Sequence, residues 1–263
     1  MAIDLFGFSI GRKEEETPPT VQSFAPPPNT DGALDVNEGG AFGTTVDLDG
    51  TAKNEALLVT KYREMAQQGE CDKAIDDVCN EAIVFDEING SVDIDLNSVK
   101  QPETIKKRIR EEFNEVISLL DFNNKGYDIF RNWYVDGRLF YHIMIDTKFP
   151  KDGIKELRYI DPRKIKKVRV KKKESDSQSQ NGEKVVATKY NEYYVYSGKG
   201  ISVGNQGVKI STDSIAHVHS GVMNETNSMV LGHLNKAIKP MNQLRMLEDA
   251  TVIYRLALSL IHI

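Results

Sequence analysis

The sequence predicts an α+β fold: helices early in the chain, a strand-rich middle forming a small barrel- or sandwich-like unit, a long C-terminal helix, and a disordered N-terminal arm. Three observations carry this. Apolar residues recur every three to four positions over most of 55–135 and again over 231–257, the period of a helix. Between 138 and 219, short runs rich in Val, Ile and Tyr are separated by turn signals, the mark of strands. Residues 13–53 string together Glu14-Glu15-Glu16, Pro18-Pro19, Pro26-Pro27-Pro28 and Gly39-Gly40 with few large apolar side chains, too few to offset the entropy of ordering.

Residues 1–54 are therefore assigned to a flexible acidic, Pro/Gly-rich arm, with Phe6, Phe8 and Phe24 as possible anchors on a partner. Order is expected from Asn54. A first helix over 55–67 places Val59, Tyr62 and Met65/Ala66 on one face, and Gly69 ends it. A second carries Cys71, Ile75, Val78, Cys79 and Ala82 on one side. Asn89-Gly90 marks a turn, and Val92, Ile94 and Leu96 alternating with Asp93 and Asp95 predict a half-exposed strand over 91–96. The clearest helix runs from Pro102 to Leu120, with Pro102 at its first position and Ile105, Ile109, Phe113, Val116, Ile117 and Leu120 along one face. An aromatic helix over 125–135 ends at the Asp136-Gly137 turn. Strands follow at 138–146, 154–160, 165–173, 186–197, 200–203, 207–210 and 214–219. The helical spacing of 231–257 contains Pro240, so a break is expected near 236–240.

Composition narrows the function classes. Of 263 residues, 40% are hydrophobic and 28% charged, ordinary for a soluble globular chain. Ten acidic and three basic residues fall within 1–60, so the remainder of a chain of net charge -5 is close to neutral, and no bulk basic field attracts nucleic acid. Cys71 and Cys79 lie eight positions apart on one helix, about 12 Å along its axis, too far for a disulfide. No apolar run approaches the ~18 residues of a membrane span, and the first eight residues lack the basic start of a secretory signal. No Walker loop is present. Gly198-Lys-Gly-Ile-Ser-Val-Gly204 misses dinucleotide spacing and reads as a turn.

Three clusters invite chemistry. His217 and His219 share a strand face, with His233 downstream, but no carboxylate or thiol nearby completes a metal set. Asp93 and Asp95 share an expected strand face, the start of a divalent-metal nuclease site, and lack a third acid. The basic stretch Arg163, Lys164, Lys166, Lys167, Arg169 and Lys171, continuing through Lys172 and Lys173, offers phosphate or partner contacts. Charged strands also protect sheet edges from unwanted pairing. No catalytic residue, cofactor or metal site is assigned.

Several stretches resemble the portal proteins of T4-like tailed bacteriophages. They are Leu231-Gly-His-Leu through Arg255-Leu-Ala257, Asp72-Lys-Ala-Ile-Asp-Asp-Val-Cys-Asn-Glu-Ala-Ile83, Tyr134-Val-Asp-Gly-Arg-Leu-Phe-Tyr141, Leu157-Arg-Tyr-Ile-Asp-Pro-Arg-Lys-Ile165 and His217-Val-His-Ser-Gly221, in the family's order. The resemblance implies a structural subunit and not an enzyme: a dodecameric ring at one capsid vertex that contacts the major capsid protein, the terminase large subunit and neck proteins, and passes double-stranded DNA during packaging and ejection. It implies a virion location, with host cytoplasm during assembly, and no stable membrane insertion. Residues 55–230 would then be a wing-like domain and 231–257 a helix leading toward the stem. The last six residues, 258–263, match what one frame of a common sequencing adapter encodes, and are expected to be read-through on a truncated gene. The alternative function is a nucleic-acid-binding or metal-dependent nuclease protein built on the 163–173 basic strand or on Asp93 and Asp95.

Overall fold

The computed structural model describes residues 3–5, 8–10, 29–37, 48–85, 90–174, 187–198, 200, 207–225, 227 and 229–261. Two units divide the chain: Met1–Pro27 with Lys172–Lys189, and Pro28–Lys171 with Tyr190–Ile263. The first contains an antiparallel ribbon of β1 (Ile3–Leu5) and β2 (Phe8–Ile10), with Ile3 opposite Ile10. Phe8 opens β2; Phe6 and Phe24 lie outside the described residues.

The second unit begins with a departure from the expected arm. Residues 29–33 close a local turn, in which Asn29 Nδ2 donates to the Ala33 carbonyl at 2.6 Å and the Ala33 amide donates to Asp31 Oδ1 at 3.2 Å. Asx side chains offer the backbone such partners. Ala33 is buried, and β3 (Leu34–Asn37) then pairs in parallel with a much later strand.

Four helices follow. The first, α1 (Leu48–Met65), starts ahead of the expected position and buries Glu55, Val59 and Tyr62 close to one phase, which Ala66 continues just beyond its end. Next, α2 (Gly69–Ala82) buries Cys71, Ile75 and Cys79, both thiols being free. Residues 91–96 form no strand. Asp93 Oδ1 takes the Ile94 amide at 2.7 Å and Asp95 Oδ1 the Asn97 amide at 2.8 Å. These local bonds replace a ladder, the competition that Asp side chains bring to strands. Pro102 is the cap of α3 (Glu103–Leu120), not its first helical residue, and its carbonyl accepts the Ile105 amide at 3.0 Å. Asp121, at φ +50°, separates α3 from α4 (Phe122–Asp136), and Gly137 ends α4 at φ +72°.

The strands came out close to expectation. They are β4 (Arg138–Ile145), β5 (Ile154–Ile160), β6 (Ile165–Glu174), β7 (Ala187–Tyr196), β8 (Val208–Ile210) and β9 (Ile215–His219). Of the expected strand 200–203, only Gly200 is among the described residues. One sheet has the order β5-β4-β9, antiparallel, so that Phe140 faces Ile160 on one side and His217 on the other. The other has the order β3-β6-β7-β8. Phe140 and Ile215 from the first sheet pack with Ile165 and Tyr194 from the second, the shared core of a small sandwich.

A separate helical core joins Tyr62, Met65, Ala66, Cys71, Ile75, Cys79, Val135 and Leu234. The break expected near Pro240 lies just before it. A 3-10 turn, His233–Ala237, leads into α5 (Ile238–Ile261). Pro240 is thus the third residue of α5, where a missing amide costs no intrahelical bond.

Candidate functional site

Glu55 has the helical phase of Val59 and Tyr62, and α1 carries it inside with them. Arg138, first in β4, donates through Nη1 to Glu55 Oε2 at 2.8 Å, and Lys166, second in β6, bonds the other oxygen. All three residues are no more than 5% exposed. Arg138 Nη2 also donates to the Val230 carbonyl, and Lys166 Nζ to the Gly32 carbonyl at 3.1 Å. One carboxylate therefore ties α1 to both sheets, to the turn before β3 and to the loop before α5. Burial pushes the Lys166 ammonium below its ordinary value, against the pull of Glu55.

A second knot lies beside it. Arg63 clasps Asp136 with two bonds, Nε to Oδ1 at 2.9 Å and Nη2 to Oδ2 at 2.7 Å, and reaches Asp161 Oδ2 at 3.3 Å. Paired bonds to one carboxylate match the planar guanidinium fork. Burial raises the Asp136 carboxyl despite Arg63. Asp161 is drawn the other way: burial opposes ionisation, but bonds from Arg163 and the charge of Arg63 bring it down to about 2.

Carboxylates among the described residues hold four of the eight basic residues in 163–173. Arg163 Nη2 meets Asp161 at 2.7 Å, and Lys166 is held by Glu55. Lys167 bonds Asp31 and also Glu192 at 2.8 Å; Arg169 bonds Glu192 at 2.7 Å and nears Asp31 at 3.8 Å. Lys171 pairs through its backbone with Asn37, and its side chain is outside the described residues. Lys164 differs. With His142, Arg158, Tyr159, Ile160, Asp161, Tyr196 and Ile210 it lines a groove of about 560 Å³.

The histidines are packing groups. His217 stacks on Phe140 with centroids 4.3 Å apart and meets Tyr194 edge-on at 6.3 Å. Its Nε2 is shut from solvent with no partner among the described residues, and burial, with His219 beside it, brings its pKa to about 3. His219 Nδ1 accepts the Gly221 amide at 3.1 Å. His233 belongs elsewhere, stacked on Tyr134 at 4.9 Å.

The largest unpartnered feature is α5. Ile238 and Met241 pack on the helical core, after which every residue from 242 to 259 is exposed. Eight of them are large and apolar: Leu244, Met246, Leu247, Val252, Ile253, Tyr254, Leu256 and Leu258. No helix among the described residues is long and apolar enough to cross a membrane.

Residues 55–261 match the family model described as bacteriophage T4-like portal protein (Gp20). The chain belongs to the T4-like portal protein family. It is similar to the portal protein of Vibrio phage KVP40, 37% identical over 265 residues that cover 94% of this chain and 50% of the relative. It is also similar to the portal protein of Salmonella phage ViI, 34% identical over 235 residues covering 85% and 42%. The chain thus spans about half the length of the relatives it matches, or somewhat less. The portal family match opens at Glu55, the central carboxylate of the buried network, and takes in both cores and the exposed helix.

The acidic partners of this portal family member were not singled out from sequence: Glu55, Asp136, Asp31 and Glu192. Glu55 had a readable signal, a lone acid close to the apolar phase of a helix. Asp31 had none, since its partner Lys167 lies 136 residues away.

Proposed function

We propose that this chain is the N-terminal part of a structural subunit of a phage portal ring, working by shape and contact with no reactive centre of its own. Copies close around a pore at the capsid vertex, through which double-stranded DNA enters and leaves. The major capsid protein, the terminase large subunit and neck proteins attach to the ring. Its place is the virion, with the host cytoplasm as the site of assembly. In this reading 55–230 form the wing-like domain and 231–257 lead toward the stem.

The observation that carries the reading is α5. From Val252 to Leu258 only Arg255 is polar, and Glu248, Thr251, Arg255 and Ser259 fall along one narrow stripe. A helix whose last three turns are apolar over most of their circumference needs neighbours there on more than one side. A closed ring supplies two, through unlike faces repeated by rotation. Within the basic stretch, we assign Arg163, Lys166, Lys167 and Arg169 to holding the fold, and Lys164 at the groove to contact with a phosphate or a partner.

Electron microscopy of the product of a full-length gene tests the proposal. Dodecameric rings are expected. A product that remains solitary overturns it.

A further inference from the structure

Besides α5, two helix faces of the second unit stand without partners among the described residues, and their charges are opposite. On α2, Glu70, Asp77 and Glu81 stand on the ridge away from Cys71, Ile75 and Cys79. They are spaced seven and four residues apart, one stripe about 16 Å long at 1.5 Å per residue. All three are exposed and make no ion pair among the described residues. Val84 and Phe85, just beyond the end of α2, are exposed too.

The complementary face is on α3. This strongly amphipathic helix buries no residue completely, and Ile105 and Val116 stay exposed. Its second turn carries Lys106, Lys107, Arg108 and Arg110. Lys106 is held by Glu103 at 3.3 Å. Lys107 and Arg108 reach only Glu111 at 3.9 Å and Glu112 at 3.8 Å, with their side chains four-fifths exposed. Arg110 makes no ion pair among the described residues. Such long, wet pairs are worth a few tenths of a kcal/mol, and basic residues N-terminal to acidic ones are the weaker order along a helix. The basic turn is therefore not consumed within its own helix, nor by α2 of the same chain.

We propose that the acidic ridge of α2 in one copy meets the basic turn of α3 in the next, with Val84, Phe85, Ile105 and Val116 as the apolar centre of a charged seam. An acidic face on one element and a basic face on another suit a head-to-tail contact, which repeats around a ring, rather than a self-complementary one. This inference rests on the ring reading above and names the contact that reading leaves open.

The test uses charge exchange in the 263-residue chain, read by sedimentation. One variant carries D77K and E81K; the other carries K107E and R108E. Either alone sets like charges together and is expected to weaken self-association at least tenfold. Mixing the two in equal amounts sets unlike charges together again, as does a chain carrying all four changes. Both are expected to recover to within about threefold of the parent. Circular dichroism of each variant establishes folding before association is read. A folded single-face variant that associates like the parent overturns the seam while leaving the ring reading intact, as does a mixture that fails to recover. A parent chain that stays monomeric at every concentration overturns the seam as well, while the ring reading is decided by electron microscopy of the full-length product.

Discussion

Arg138 and Glu55 lie 83 residues apart in sequence and meet at 2.8 Å in the interior, each no more than 7% exposed at its side chain. Removing one member of a buried ionic group strands the others, at about 3–5 kcal/mol. Glu55→Ala leaves both Arg138 and Lys166 without their carboxylate and is expected to cost that much in urea unfolding. Changing Glu55, Arg138 and Lys166 together to Met should cost far less, because no buried charge remains. Equal losses for the single and triple changes would contradict this account.

His217 gives the fold a dependence on acidity. Its folded pKa of about 3 lies below the ordinary 6.5, so the unfolded chain takes up its proton first as pH falls. The neutral, stacked ring contributes stability that is full above pH 6.5 and declines between there and about 3. His217→Phe keeps a ring against Phe140 and should flatten the urea midpoint across that window. A midpoint that falls as steeply in the variant would reject His217 as the source.

Gly137 and Gly232 touch where the helical layer turns into β4. A Cβ on Gly137 would stand 2.6 Å from the Gly232 Cα, and the backbone is at φ +72°. Gly137→Ala therefore combines left-handed strain with overpacking, together about 3 kcal/mol. Thermal and urea unfolding should register the loss. Gly221→Ala, also at positive φ (+77°) but with nothing within 4 Å of the added Cβ, should lose only the strain part.

Leu247 and Tyr254, at 65% exposure each, report whether α5 is an association surface. An apolar side chain of this size contributes about 1.5–3 kcal/mol when fully buried. Leu247→Lys with Tyr254→Lys is expected to shift sedimentation toward monomer and leave the unfolding midpoint unchanged. Unaltered association would remove α5 from the contact.

Much of this architecture was legible because it is local. Runs of Ile, Leu and Tyr mark β4 and β5, the first opening at the Asp136-Gly137 turn, and the stripe from Ile105 to Leu120 marks α3. The exposed apolar character of α5 was likewise visible in its spacing. What escaped was set by distant partners. Alternation over 91–96 described a strand that Asp93 and Asp95 prevent by bonding their own backbone. Residues 29–37 are arm-like in composition, and order arrives through Lys166 and Lys167. For the same reason the carboxylate partners of Lys166, Lys167 and Arg169, which lie 23 to 136 residues away, were not legible in the basic stretch.

The parallel pairing of β3 with β6 also dictates a sequence of events in time. Gly32 leaves the ribosome 134 residues before Lys166, the residue that holds its carbonyl. Contacts so distant form only after closer ones have shortened the effective loop between them. The segment 29–37 therefore docks late, when the sandwich already exists. Until then the loop at Val230 that leads to α5 has not gained its neighbour Gly32.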